Sequence, residues 1–159
     1  MISFEPRPMM LEEIDAVATL WHDTWRHTHD PIAPRALCDF RDLSYFRRRL
    51  EKEFAAVRVL GILGNPLGLC IVDDSTLDML FVARGERGKG YGEQLLNDAE
   101  NSMRGNGAKE AHLYVALRNH GAIRFYLRQG WKDAGAVEKT FEVHGGTMKN
   151  QVGLMTKPL

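Results

Sequence analysis

Between residues 77 and 104 the chain runs from an apolar stretch, Leu77-Asp-Met-Leu-Phe-Val82, through a turn rich in glycine and charge, into an amphipathic segment that ends near Arg104. The turn reads Arg84-Gly-Glu-Arg-Gly-Lys-Gly-Tyr-Gly92. A strand, a turn and a helix in that order make a crossover, which sets the flanking strands side by side and parallel. Glycines at 88, 90 and 92 allow positive φ and let backbone approach a ligand closely. The first amides of the following helix have no partner inside it, and the helix dipole adds to their pull on an anion. Arg87 and Lys89 add full positive charge. The physics points to a grip on a phosphate or pyrophosphate; a purely structural turn is the other reading. Two familiar phosphate loops fail on spacing. A GxGxxG fingerprint from Gly88 needs glycine where Glu93 stands, and from Gly90 where Leu95 stands; a Walker loop needs Ser or Thr after Gly88-Lys89, where Gly90 stands.

The rest of the chain supplies the other elements. A short strand is expected at 2–5. A helix over 11–27 carries Ile14, Val17, Ala18, Trp21 and Trp25 on one face, and Pro31 and Pro34 stop it. A second helix at 43–54 has the stripe Phe46, Leu50, Phe54, with Asp42 or Ser44 as its cap. Three strands at 57–63, 67–72 and 77–82 are joined by turns short enough to require an antiparallel meander. A third helix at 90–104 turns Leu95, Leu96, Ala99 and Met103 inward and stops at Gly105-Asn-Gly107. A strand at 111–117 is followed by a helix carrying Ala122, Ile123, Phe125 and Tyr126 that ends near Gly130. Two strands at 136–144 and 151–156 close the chain. The order implies an α/β protein with a mixed sheet. A length of 159 residues favours one domain over 1–159.

The glycine segment resembles the acyl-coenzyme A loop of the GNAT acetyltransferases, Arg/Gln-x-x-Gly-x-Gly/Ala, with Arg87-Gly-Lys-Gly-Tyr-Gly92 as the match and Leu80-Phe-Val82 as the preceding strand. Downstream, Asn119-His-Gly-Ala122-Ile-Arg-Phe125-Tyr126-Leu-Arg-Gln-Gly130-Trp131 is similar to the family's N-x-x-A-x-x-F-Y-x-x-x-G-F. The likeness spans residues 77–131. Arg84 stands where many members have proline, which puts the loop's shape there in question, and Trp131 replaces a phenylalanine but still suits an apolar site. The resemblance implies a GNAT fold: a mixed, mostly antiparallel sheet flanked by helices, whose central strands splay to form the acyl-CoA cleft.

The resemblance further implies acetyl transfer from acetyl-CoA to an amine of a small molecule or peptide, by direct attack in a ternary complex. A non-catalytic acyl-CoA sensor with the same fold stays open, and a nucleotide-phosphate binder is a more distant reading. The backbone of Gly88, Lys89, Gly90, Tyr91 and Gly92, with Arg87, would hold the pyrophosphate. The backbone around Phe81 and Val82 would bond the pantetheine arm, the Val82 amide serving the developing oxyanion. Tyr126 matches the family tyrosine that protonates the departing sulfur, although a core tyrosine is the other use of that position. Asn119 serves the cofactor, the helix cap, or both. An alkyl ammonium, with a pKa of about 10.4, must lose a proton before attack. Asp78 is the candidate base, expected on the face shared by Leu80 and Val82; a solvated carboxylate is the alternative. Tyr114 is a second candidate, with cross-strand packing as its other role. Trp25, His27 and His29 are expected acceptor contacts, because the first helices border that site in the family.

No metal is expected: His22 and His27 do not share a helical face, and no other ligand cluster is evident. The Arg47-Arg-Arg49 run reads as the wet face of the second helix. No apolar run approaches a membrane span, the N-terminus lacks secretion-signal character, and Cys38 and Cys70 read as buried free thiols, so a cytoplasmic location is expected. Family members are often dimers, which makes a homodimer an expectation.

Charge balances at 21 basic and 21 acidic residues, against the basic excess of a nucleic-acid binder or polybasic membrane protein. The balance is uneven along the chain. Residues 1–83 hold 9 basic and 13 acidic side chains, and residues 84–132 hold 9 and 5. The basic stretch carries both cofactor motifs and would face a polyanion. The acidic stretch would border the acceptor, which implies a cationic one.

Overall fold

The computed structural model describes residues 4–159. A seven-stranded sheet runs in the order β1-β2-β3-β4-β5-β7-β6, from β1 (Arg7–Pro8), β2 (Val57–Ile62), β3 (Asn65–Asp73), β4 (Thr76–Val82), β5 (Glu110–Val115), β6 (Lys132–Val143) and β7 (Gly146–Pro158). Every neighbouring pair is antiparallel except β4 and β5, joined by a crossover through α4 (Tyr91–Gly105). α1 (Ile14–His29), α2 (Arg35–Phe40) and α3 (Leu43–Lys52) precede β2, and α5 (His120–Arg128) follows β5. This is the mixed α/β architecture expected, with differences in several elements.

The strand expected at 2–5 begins outside the described residues, and residues 4–6 form none; β1 comes later, with Arg7 opposite Val59 and Pro8 opposite Arg58. Proline is tolerated there because β1 is an edge. The first helix opens with a 3-10 turn, Leu11–Glu13, and α2 was not expected. Six residues are too few for a helical period to show, and α2 is held by burial of Leu37 and Cys38. The Asp42 carboxylate accepts from the Tyr45 amide at 2.8 Å and caps α3, which ends before Phe54. β6 and β7 are longer than expected and form one hairpin, Val143 pairing Gly146 across its turn.

The sheet separates two cores. Val57, Val59, Leu69 and Ile71 face α1 and α3 with Val17, Trp21, Phe46 and Leu50. Leu60 and Cys70 face α4 with Leu95, Leu96, Ala99 and Met103. Strand alternation dictates this division, and the register shifts at Leu60/Gly61, Ile71/Val72 and Asp133/Ala136 interrupt it; the second bears on the site. Along β3 and β4 the register passes from Ile71↔Met79 to Val72↔Leu77, which leaves Asp78 as an extra residue. Such a bulge reverses the phase of the strand. Leu80 and Val82 pack on the α4 side, whereas the Asp78 carboxylate bonds Arg49 of α3. The expectation that Asp78 shares a face with Leu80 and Val82 is thereby corrected.

Glu13 is buried and bonded to Arg7 at 2.6 and 3.1 Å, and it accepts from the Met10 amide at 2.9 Å. Burial alone would raise its pKa, but Arg7 and the Met10 amide outweigh burial and hold the carboxyl below its ordinary value. Glu13→Ala should cost about 2 kcal/mol, less than a fully enclosed pair because Arg7 keeps 28% exposure. Since the folded pKa is depressed, this stabilisation is complete above the ordinary carboxylate range and is lost as pH falls through the folded value. Urea unfolding at pH 7 and pH 3 should therefore show the difference between wild type and variant shrinking in acid.

Cys38 and Cys70 are free and buried, and burial pushes the Cys70 thiol up to about 12, which leaves it inert at neutral pH. Among the described residues, no helix is long and apolar enough to cross a membrane.

Candidate active site

β4 and β5 pair at only two positions, Thr76↔His112 and Leu77↔Leu113. Beyond them β4 stays with β3 as far as Val82↔Gly68, and β5 stays with β7 as far as Val115↔Gly153. The two strands are thus drawn apart by their outer neighbours. The Ala83 amide donates to the Leu67 carbonyl of β3 at 2.7 Å. By alternation, the polar backbone of Phe81 also faces β3, and that of Leu80 and Val82 faces the opening. Phe81 instead contributes its ring, packed edge-on to His29. The opening is the floor of a cleft of about 970 Å³.

The glycine-rich turn forms one end. Arg84–Glu86 makes a 3-10 turn, the shape taken where many members of the resembled family have proline. Gly88 and Gly90 have φ of 80° and 85°. Gly90 immediately precedes α4, and no side chain caps that helix, so its first amides are left for a ligand. A Cβ on Gly92 would lie 3.2 Å from the Phe125 ring, so glycine there lets α4 and α5 close up. Arg87, Gly88, Gly90, Tyr91 and Gly92 line the cleft. Lys89 does not: it is exposed and bonds Glu86 at 2.8 Å. The local carboxylate holds its ammonium, which leaves the Lys89 backbone as the part of the residue within the turn.

α5 forms a side wall. The Asn119 side chain accepts from the Ala122 amide at 3.3 Å, so the cap is made, and Asn119 also lines the cleft. Tyr126 is buried between Phe125 and Trp131 and borders the same space. Burial pushes its hydroxyl up, with Cys70 adding, so it is a protonated donor at neutral pH. Trp131 fills the apolar site expected of it, 2% exposed.

The far end is built by α1, the α2–α3 junction and β6. Trp25 is buried and stacks on His29 with centroids 4.5 Å apart. His29 Nδ1 lies 3.0 Å from the Trp25 carbonyl, which can only accept, so Nδ1 carries the proton and Nε2 is an acceptor. Burial pushes this imidazole down to about 4, so it is neutral at pH 7. His27 is exposed, against Arg84 at 2.9 Å, and is not part of the cleft. It stands two residues from Trp25, about 200° around the helix, whereas His29 is one turn on. His27, expected beside Trp25 and His29, thus stands outside the cleft lining that those two share.

Asp78 and Tyr114 both line the cleft. The Arg47-Arg-Arg49 run is not simply a wet face. Arg47 pairs with Asp15 and Glu51, but Arg49 points inward and bonds Asp78 and Glu53, each at 2.5 Å, and the Tyr45 hydroxyl at 2.9 Å. The lining also includes residues that no sequence motif marks, among them Arg41, Lys139 and Phe141. Arg41 lies over Trp25, Tyr45 and Phe141 at 5.0, 5.3 and 5.9 Å, and Lys139 over Tyr114 at 4.0 Å. Lys139 had a signal, since it occupies the inward phase of β6 with Val137, Phe141 and Val143. Of the acidic residues in 1–83, Asp78 alone reaches the cleft wall, with Arg41 and Arg49. The segment charge thus does not carry over to the cleft, and the basis for expecting a cationic acceptor falls away. Among the described residues no group of three His, Cys, Asp or Glu could hold a metal.

A chain with this cleft has close structural relatives. A GCN5-related N-acetyltransferase from Rhodopseudomonas palustris superposes with a TM-score of 0.75 at 19% identity, covering 100% of this chain and 98% of that one. The PaiA N-acetyltransferase of Thermoplasma acidophilum, in complex with coenzyme A, gives 0.72 at 19%, covering 99% and 100%. The Salmonella typhimurium protein yncA with its cofactor acetyl-CoA gives 0.73 at 18%, covering 99% and 95%. At such identities the likeness is one of fold. In sequence, an uncharacterized N-acetyltransferase of Methanocaldococcus jannaschii is 27% identical over 105 residues, which is 59% of this chain and 46% of the relative. The chain thus spans under half the length of the curated relative it matches. The sequence model of the Acetyltransferase (GNAT) family matches residues 14–131, from α1 through Trp131 and including the splayed strands, the glycine turn and Tyr126, and the chain belongs to that family.

Proposed function

We propose that this chain transfers the acetyl group of acetyl-CoA to an amine by direct attack within a ternary complex. The observation that carries this reading is the break between β4 and β5, which opens onto the uncapped start of α4 and has Tyr126 on its wall. The solved relatives that contain coenzyme A or acetyl-CoA support it.

The amides around Gly88, Gly90 and Gly92, with Arg87, bind the pyrophosphate. The free backbone of Leu80 and Val82 bonds the pantetheine arm as a neighbouring strand would. The neutral amine attacks the thioester carbonyl, whose oxygen gains negative charge beside the Val82 amide. The new N–C bond forms as the C–S bond breaks. The Tyr126 hydroxyl delivers a proton to the departing sulfur, and the proton shed by the nitrogen as the amide forms restores that hydroxyl through solvent. The proton lost from the ammonium passes to Asp78, directly or through water, and Arg49 fixes that carboxylate in place.

Thermal melting tests the cofactor. Acetyl-CoA at one hundred times its Kd should stabilise the fold by about 2.7 kcal/mol, or about 5 °C or more. No shift at millimolar acetyl-CoA would overturn the reading, and protection by ATP instead would redirect it to nucleotides. Release of free CoA thiol with a panel of amines tests turnover; a shift without release would leave a sensor.

Asp78→Asn should lower kcat/KM about tenfold or more at pH 7, with the deficit narrowing toward pH 10 as the free amine loses its proton in solution. A deficit constant over that range would remove Asp78 from proton transfer.

A further inference from the structure

We infer that the acceptor amine carries an anionic group, a carboxylate or a phosphate, seated between Arg41 and Lys139. This rests on the acetyl-transfer reading and specifies its substrate. Arg41 stands just after α2, its guanidinium over the rings of Trp25, Tyr45 and Phe141. Its Nε is shut off from solvent and has no hydrogen-bond partner among the described residues. Asp78, the cleft-wall acid whose charge acts on Arg41, is bonded to Arg49 instead. Lys139 enters from β6, half-buried over Tyr114, and forms no ion pair among the described residues.

Two withdrawn cations that share only the charge of Asp78, already bonded to Arg49, and form no ion pair of their own among the described residues are costly in a protein wall, and burial makes each less basic. Nothing in the packing requires the charges, since neutral side chains would cover the same rings. An anion between them would supply what is missing. The two terminal nitrogens of the planar guanidinium are not shut off as Nε is, and the edge they form matches two oxygens of a carboxylate or phosphate, with the three rings holding that plane steady. A polyamine would bring further positive charge to the same wall. The partners of Arg41 lie on α1, α3 and β6, away from the glycine turn, so this seat is separate from the pyrophosphate grip.

The test compares matched amines under saturating acetyl-CoA: L-amino acids against their amides, O-phosphoethanolamine against ethanolamine, and spermidine. At least one anionic member should exceed its neutral partner in kcat/KM by about tenfold or more, and the pair that does so separates carboxylate from phosphate. Arg41→Gln should abolish that preference while the KM for acetyl-CoA stays unchanged, and Lys139→Gln should reduce it. Spermidine or the neutral partners matching or exceeding the anions would overturn the inference, as would a preference untouched in both variants. A binding measurement needs no turnover. Acetate and inorganic phosphate are titrated against tryptophan fluorescence with coenzyme A present. A saturable change lost in Arg41→Gln supports the seat; none with either anion overturns it. Should the seat bind while acetyl-CoA neither binds nor turns over, the acetyl-transfer reading fails and the anion seat stands. Melting curves of both variants show whether the fold is kept.

Discussion

Tyr126→Phe is expected to lower kcat about a hundredfold while changing the KM for acetyl-CoA by less than about twofold. The variant keeps the ring that packs between Phe125 and Trp131, so the wall of the cleft survives. Only the hydroxyl is lost, and with it the proton that the proposed mechanism gives to the departing sulfur. Burial holds that hydroxyl protonated, so the wild-type enzyme should show no loss of this acid across the neutral range. Single-turnover rates at saturating acceptor are the measurement, because release of product can hide a chemical step in kcat. An unchanged single-turnover rate would remove Tyr126 from acid catalysis.

Gly90→Asp should weaken acetyl-CoA binding about a hundredfold or more, with little loss of fold stability. Gly90 has a φ of 85° and open space around it. Aspartate is among the residues best able to adopt that backbone. Its carboxylate would stand at the start of α4 and cap amides that no side chain now caps. The helix would gain a partner and the cofactor would lose one, with like charge added against the pyrophosphate. Gly90→Ala separates these effects: it carries the φ strain, about 1 kcal/mol, without the charge, and should bind acetyl-CoA better than the aspartate variant. Equal affinity in wild type and Gly90→Asp, measured by calorimetry, would move the pyrophosphate elsewhere.

The glycine turn and the start of α5 were legible because their structure is local. The glycines act through their own backbone, and Asn119 caps a helix three residues away. The core was legible through alternation, as in Val57 and Val59, and through the stripe of α1. What escaped depends on contacts distant in sequence. One inserted residue at Asp78 reverses the phase of a strand, and Asp-Met-Leu gives no sign of it. Arg49 differs from Arg47 only by its angle around α3, yet one meets the cleft and the other Asp15. The segment charge misled because acids near in sequence are used up at the surface or in pairs: Glu13 with Arg7, Asp15 with Arg47, Glu53 with Arg49.

The early end of the β4–β5 ladder has a further consequence. Unpaired strand backbone normally lies at the rim of a sheet, where another chain can add to it. Here it lies in the interior, between two ribbons that are each fully engaged on their outer sides. Another molecule's strand would have to thread into the gap, whereas a slender amide-bearing tail can lie along it. The fold thus carries the adhesive property of an open rim without exposing it to aggregation. Deuterium exchange at the Leu80 and Val82 amides should report this directly, rapid in the free protein and slowed when the gap is filled.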